Sequence, residues 1–304
     1  MLERCKKEEL RVIAVDYDGT VYHRGDKEFN SLEKVLNLAY AVYKSGKEFV
    51  FVSGRNTTLE LELREIGDKF AKKIGDTFSV WRSGGTGMNL EKITFFPDDR
   101  QVFVKCMYSN TLGIEKIKIA IKEYLKLDIV ADEKSKTFFK SFLDKKLPEY
   151  LVPKTYFALA KPYEGRFFAE KVKVTFVLPS SIDEQEKYIK VLRKKLKPYD
   201  LSVGWGRLPF ADVSKNLRVD DKITDGKLFM MKYIIKKLKI NKYQVATFGD
   251  SPMDNNRGLL SFPYSFTNDK NGLDVNKKIR PYILEVGESP IKVVYEAINY
   301  LIKQ

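Results

Sequence analysis

The stretch Val12-Ile13-Ala14-Val15-Asp16-Tyr17-Asp18-Gly19-Thr20 sets an apolar run directly against a pair of acids. Its reading decides the fold. Four consecutive apolar residues, rich in β-branched side chains, read as a buried strand, and the acids stand where that strand should end. Side chains two apart on an extended chain point the same way, so Asp16 and Asp18 can face one reacting centre. Gly19 permits a sharp exit, and the Thr20 hydroxyl can bind an oxygen or the backbone. Taken alone, the stretch is equally a strand followed by an acidic turn.

Three later segments use the same grammar. Phe49-Val50-Phe51-Val52 runs into Ser53-Gly54-Arg55; Gly226-Lys227 opens an amphipathic segment; and Val245-Ala246-Thr247-Phe248 runs into Gly249-Asp250-Ser251-Pro252-Met253-Asp254. In an open parallel sheet, ligands bind beyond the carboxyl ends of the strands, so these segments can converge although far apart in sequence. An Asp pair, then Ser with Arg, then Lys, then another Asp pair resembles the four-motif signature of the haloacid dehalogenase (HAD) superfamily of phosphatases and phosphomutases. The resemblance implies an α/β fold with a Rossmann-like, doubly wound parallel-sheet core.

Strand and helix alternate through the first part of the chain, as such a core requires. Residues 11–15 and 49–52 read as strands, as do 78–81. A helix is expected over 31–45, with Ser31 as N-cap and Gly46 as its stop, and another from Thr57 through Ile66, ending near Gly67. The glycine-rich Ser83–Gly87 lacks the Lys-Ser/Thr ending of a P-loop and reads as a junction. From there to about Pro209 the chain carries its own strands, near Val102–Cys106 and Val172–Leu178, and its own helices, near Ile114–Leu125 and Asp183–Leu196. The expected organisation is a catalytic core over 1–86 and 210–304, resuming around Asp212 and closing with a helix near Pro290–Ile302. An α/β unit over 87–209 is inserted in it. That insertion resembles the C2-type cap of the Cof-like sugar phosphatases and sucrose-phosphate phosphatases. The segment Gly226–Leu238 is similar to the third-motif helix of the latter, with Leu228 departing from the usual Lys-Gly pair and Met253 standing where the common fourth motif has Asn.

Composition bounds the partners. The 304 residues are 43% apolar and 32% charged, the balance of a globular protein. The start, MLERCKKEEL, has no apolar core, and no uninterrupted apolar run approaches the ~20 residues that span a bilayer, so a cytoplasmic protein without membrane contact is expected. Cys5 and Cys106 lie outside any metal-ligand spacing, and a disulfide framework or zinc site is not expected. A net charge of +14 invites a nucleic-acid partner, yet 42 of the 55 basic residues are lysines spread over nearly every expected helix. A solvated face accounts for them, and the field would in any case favour an anionic substrate.

The chemistry follows from the residue types and the resemblance together. Hydrolysis through an aspartyl-phosphate splits one difficult step into two, and a carboxylate nucleophile needs no deprotonation at neutral pH. The resemblance places Asp16 as that nucleophile and Asp18 as the acid and base that serves the leaving alkoxide and then the water. Clustered oxygens select Mg²⁺, with Asp16, the carbonyl of Asp18 and Asp250 as its protein ligands and Asp254 as a direct or indirect contributor. Ser53 would hydrogen-bond a phosphoryl oxygen and Lys227 neutralise its charge, with Gly54 and Arg55 completing the substrate contacts. Arg55 could equally pair with a core acid. Asp250 and Asp254 could cap a helix, and Ser53 could cap the segment after its strand. His23, the only histidine, reads as a loop residue. Trp205, between Gly204 and Gly206, could stack on a sugar ring or plug the inserted unit, and for Asn268 and Asn271 turn formation is favoured over substrate contact.

The resulting expectation is a Mg²⁺-dependent phosphomonoesterase acting on a small phosphorylated sugar or polyol. The alternatives are a phosphomutase of the phosphomannomutase type, and a polynucleotide phosphatase or nucleic-acid-binding protein. The first would be marked by a retained bisphosphate intermediate, the second by a salt-dependent affinity for oligonucleotides.

Overall fold

A computed structural model describes residues 10–303 apart from 24–25, 27, 56, 86, 130, 138–166, 171, 206–208, 220–221, 251–255, 269–280 and 285–288. The chain divides into two compact units, one of residues 1–108 with 224–304 and one of residues 109–223.

The larger unit is built on an eight-stranded sheet. Its strands are β1 (Val12–Asp16), β2 (Glu48–Val52), β3 (Phe78–Gly84), β4 (Asn89–Phe95), β5 (Phe103–Ser109), β12 (Val245–Gly249), β13 (Tyr264–Thr267) and β14 (Tyr282–Ile283), in the order β14-β13-β12-β1-β2-β3-β4-β5. From β14 to β3 every neighbour is parallel, and β4 then runs antiparallel to β3. The chain starts at β1, winds outward through β2 and β3, and returns to fill the other side from β12. The strand order therefore reverses between β1 and β12, where a doubly wound sheet opens its ligand crevice.

The two faces of this sheet are separated by alternation. Ile13, Val15, Phe49 and Phe51 pack with α1 (Leu32–Lys44), α2 (Thr57–Ile74) and α6 (Pro290–Ile302). Val12, Ala14, Val50 and Val52 face the other way, onto Met230, Met231 and Ile234 of α5 (Gly226–Leu238). Because both faces are covered, β1 and β12 are buried at every residue, which is why they read as continuous apolar runs. The same parity puts Asp16 on the side of α5.

Two expected boundaries move. Helix α2 does not stop at Gly67 but continues to Ile74. Gly67 is there for contact: a Cβ on it would lie 2.2 Å from the Phe95 ring of β4. Of the Ser83–Gly87 segment, Ser83 and Gly84 end β3 and pair with Leu90 and Asn89 of β4, and Met88 N–H donates to the Gly84 carbonyl (3.1 Å) where the hairpin closes. The core sheet thus takes in β4 and β5, and the strand expected near Val102–Cys106 belongs to it.

The smaller unit holds a four-stranded sheet in the order β6-β7-β9-β8, from Phe167–Ala169, Lys173–Val177, Phe210–Lys215 and Leu201–Gly204, with every pairing antiparallel. Helices α3 (Ile114–Leu125) and α4 (Ile182–Leu196) cover one face through Ile117, Tyr124, Ile189 and Leu192. Asp212, at which the core was expected to resume, lies in β9 opposite Thr175. A two-stranded ribbon, β10 (Leu217–Val219) with β11 (Lys222–Thr224), precedes the return to the core.

Candidate active site

Asp16 closes β1 and Asp250 follows β12, so the parallel pairing of these strands brings two carboxylates together at the carboxyl edge of the switch point. The turn after Asp16 is tight. Tyr22 N–H donates to the Tyr17 carbonyl (3.1 Å) and Gly19 N–H to the Tyr22 carbonyl (2.9 Å). Gly19 has φ +78°, and a Cβ there would stand 2.6 Å from Asp250 Oδ2. Only glycine meets both demands.

Asp16 is 4% exposed. Its Oδ1 accepts from the Tyr17 backbone N–H (2.9 Å) and pairs with Lys227 Nζ (2.9 Å). Its Oδ2 accepts from Asn256 Nδ2 (2.8 Å). Lys227 stands in the first turn of α5, whose N-cap is Asp225, accepting from Leu228 N–H (2.9 Å). That turn is anchored from outside: a Cβ on Gly87 would lie 2.1 Å from the Gly226 carbonyl oxygen. The Lys227 side chain is fully buried, and a buried ammonium must be paired.

Asp18 points instead to Arg55. The guanidinium forms a two-pronged contact, Nε to Oδ2 at 2.8 Å and Nη2 to Oδ1 at 2.5 Å, and lies over the rings of Tyr17 and Tyr22 at 5.3 and 5.7 Å. These two rings stack on each other at 4.9 Å. A planar cation on an aromatic pair with its fork on a carboxylate is an arrangement lysine cannot make. Of the two roles open to Arg55, the structure displays the pairing with an acid. Partial removal from water pushes the Asp18 carboxyl above the ordinary carboxylate range; Arg55 pulls the other way, and the Asp16 charge adds a smaller upward push.

Ser53 is buried at the end of β2, where its N–H donates to the Ser83 carbonyl (2.9 Å) and its Oγ accepts from Arg55 N–H (3.0 Å). The local bond fixes the hydroxyl oxygen and leaves its proton to donate. Gly54 lies between the two, half-buried.

The donors suit a hard cation. Asp16 Oδ2 and Asp250 Oδ1 converge closely enough that one nitrogen, Asn256 Nδ2, reaches them at 2.8 and 2.5 Å. Two converging carboxylates are the kind of protein contribution that suits Mg²⁺, which keeps several waters. Among the described residues no group of three or more His, Cys, Asp or Glu assembles around a metal position. Asp254 lies outside the described residues, as do Ser251 and Asn271.

Asn256 is the residue that sequence reasoning missed. It is 1% exposed, and its Oδ1 accepts from Lys227 Nζ (2.5 Å). No periodicity marks it. Other expectations resolve as structure. Trp205 donates its indole N–H to Gln185 Oε1 (2.9 Å) and packs on the core of the smaller unit. Asn268 Nδ2 donates to the carbonyls of Gly19 (3.4 Å) and Pro290 (3.2 Å), tying the first loop to α6. Cys106 is exposed and free. No helix among the described residues is long and apolar enough to cross a membrane.

No family model and no curated protein matches the chain. Solved structures do. A Plasmodium vivax protein assigned as a HAD/Cof-like hydrolase superimposes with TM-score 0.62 at 19% identity, over 100% of this chain and 98% of that one. A sugar phosphatase of HAD subclass IIB gives 0.59 at 16% identity, over 95% and 98%. A HAD-superfamily phosphatase from Bacteroides thetaiotaomicron gives 0.58 at 13% identity, over 97% and 96%. The chain therefore has the fold of the HAD/Cof-like hydrolases.

Proposed function

We propose that this chain is a HAD-type phosphomonoester hydrolase, dependent on Mg²⁺ and acting through an aspartyl-phosphate on a small phosphorylated sugar or polyol. The single observation that carries the reading is the buried Asp16–Lys227 pair beside Asp250 at the switch point of the sheet. A carboxylate, an ammonium and a second carboxylate converge there, in a fold shared with phosphatases.

Asp16 attacks phosphorus, forming an O–P bond as the bond to the leaving oxygen breaks, and Asp18 delivers its proton to that oxygen. Asp18 then takes a proton from water, the water oxygen attacks the same phosphorus, and the bond to Asp16 breaks to release phosphate. Lys227 and the Ser53 hydroxyl hold the phosphoryl oxygens as charge spreads over them. Arg55 holds the Asp18 carboxylate through its two-pronged contact. Asp16, the Asp18 carbonyl and Asp250, with Asp254, would hold Mg²⁺, which when bound screens the repulsion between nucleophile and phosphoryl group. The sugar assignment is supported by a subclass IIB sugar phosphatase of like fold.

The test is a phosphate-release screen over phosphorylated sugars, polyols, nucleotides and oligonucleotides, with Mg²⁺ and with excess chelator. Turnover of sugar phosphates that chelator abolishes is the expected result. Full activity in chelator, or inactivity of the folded, Mg²⁺-loaded protein on every ester, would overturn it.

A further inference from the structure

The ammonium of Lys227 is shut away from water, and it has three protons to place. Among the described residues two contacts hold it: Asp16 Oδ1 at 2.9 Å and Asn256 Oδ1 at 2.5 Å. The nitrogen of the same amide donates to Asp16 Oδ2 at 2.8 Å and to Asp250 Oδ1 at 2.5 Å. Asn256 thus closes a ring in which one side chain serves an ammonium through its oxygen and two carboxylates through its nitrogen.

Little else could stand there. An amide offers two donors on one atom and an acceptor one bond away; aspartate would bring a third negative charge, and leucine would serve none of the three partners. The seat is also closely built. A Cβ on Gly249 would lie 3.2 Å from Asn256 Cγ, so bare glycine lets the amide approach β12. Leu260 N–H donates to the Asn256 carbonyl (2.8 Å), opening the single turn Leu259–Ser261. Two residues on, a Cβ on Gly258 would stand 2.0 Å from Asp225 Oδ1, the N-cap of the helix that carries Lys227. One turn of chain bears on Lys227 twice, through its side chain and through its helix.

We propose that Asn256 is the positioning residue of this site, fixing the rotation of the Asp16 carboxylate and the reach of Lys227 by holding both with a single amide. The inference rests on the phosphoryl-transfer reading above. A nucleophile displaced by even about 1 Å loses on the order of 10²-fold in rate. A residue acting this way lowers kcat and leaves substrate affinity nearly unchanged.

The experiment uses full-length Asn256→Ala and the near-isosteric Asn256→Leu, each checked for folding by its thermal transition. With a sugar phosphate that the wild type hydrolyses, kcat should fall ~10²-fold and KM should stay within about threefold. Acylation of Lys227 by acetic anhydride, read by peptide mass spectrometry, should quicken by about tenfold once its charge-assisted acceptor is gone. In a Lys227→Ala background, Asn256→Leu should cost less than it does in the wild type, because one of the two partners it positions is absent while its bond to Asp16 remains. Unchanged Lys227 acylation, additive losses in the double variant, or loss of the folded state in both single variants would overturn the assignment. The acylation arm needs no turnover, so a wild type inactive on every ester would refute the phosphatase reading while Lys227 acylation still decides the hold of Asn256.

Discussion

Asp16 is held by three donors, from Tyr17, Lys227 and Asn256, and this is what separates it from Asp18, which faces Arg55 with about half of its side chain exposed. The difference in partners suits the roles proposed above, with the fixed, buried acid as nucleophile and the more accessible one exchanging protons with leaving group and water. Asp16→Asn should leave the fold intact and lower kcat by at least ~10³-fold, as removal of a catalytic nucleophile does. Acid-quenched turnover followed by mass spectrometry should find phosphate on the wild-type peptide containing Asp16 and none on the variant peptide. Gly19 is the second residue on which the site turns. Alanine there would carry the cost of φ +78°, about 1–2 kcal/mol, and would press on Asp250 as well. Gly19→Ala should therefore lower both the melting temperature and kcat. A Gly19→Ala protein with wild-type kinetics would show that the Asp250 carboxylate is not held where the reaction needs it.

At the scale of single elements, helix α2 puts two familiar rules in opposition. Alanine in a helix interior is favoured over glycine by about 1 kcal/mol, whereas overpacking a tight contact costs about 1–3 kcal/mol. With the Phe95 ring 2.2 Å from the position of the added carbon, overpacking wins. Gly67→Ala should destabilise the protein in urea titrations, and Phe95→Leu should recover part of the loss; a stabilised Gly67→Ala would mean that helix and β4 part easily. This contact also explains why the end of α2 was not legible in the sequence. A glycine that stops a helix and a glycine that lets a ring approach are the same letter, and the ring lies 28 residues further on. The central strands were legible because burial on both faces writes them as unbroken apolar runs. Helix α1 announced its start with Ser31, whose hydroxyl accepts from Glu33 N–H at 3.2 Å, and α6 announced its own with Pro290 after Ser289. Strand β5 gave no such sign. It closes one end of the sheet order with Phe103 and Cys106 exposed, so its pattern cannot say to which sheet it belongs.

For the whole molecule, the four motif segments were readable because three of them follow strands of the larger unit and the fourth opens α5, and parallel pairing brings Asp16, Ser53 and Asp250 to one edge of the sheet. Asn256 was not readable, since an amide acquires its role from three partners that only the fold assembles. The limits of the insertion were obscured for a similar reason: β9 reads like a core strand, and its partners β7 and β8 are what place it in the smaller unit. Such a unit, with its own sheet and its own apolar cluster, can respond to conditions separately from the core, so a single two-state transition is not expected. Acid should reveal it. Asp132 accepts from the backbone N–H groups of Ser135 (2.9 Å) and Ser180 (2.7 Å), which joins the chain after α3 to the start of α4, and these bonds hold its carboxyl well below the usual carboxylate range. A carboxyl whose pKa is depressed by folding stabilises the folded state above its unfolded value, near 3.9, and that contribution is lost as pH falls toward the folded value. The smaller unit should accordingly weaken below about pH 4 through this group. Asp132→Asn keeps one acceptor and loses the charge, so it should cost about 1–2 kcal/mol at neutral pH and flatten the acid dependence. Hydrogen exchange of the amides in α3 and α4, followed between pH 3 and 7, separates this local opening from unfolding of the core. If Asp132→Asn and wild type lose protection in parallel as pH falls, the acid response belongs to other carboxylates and the link through Asp132 carries no such load.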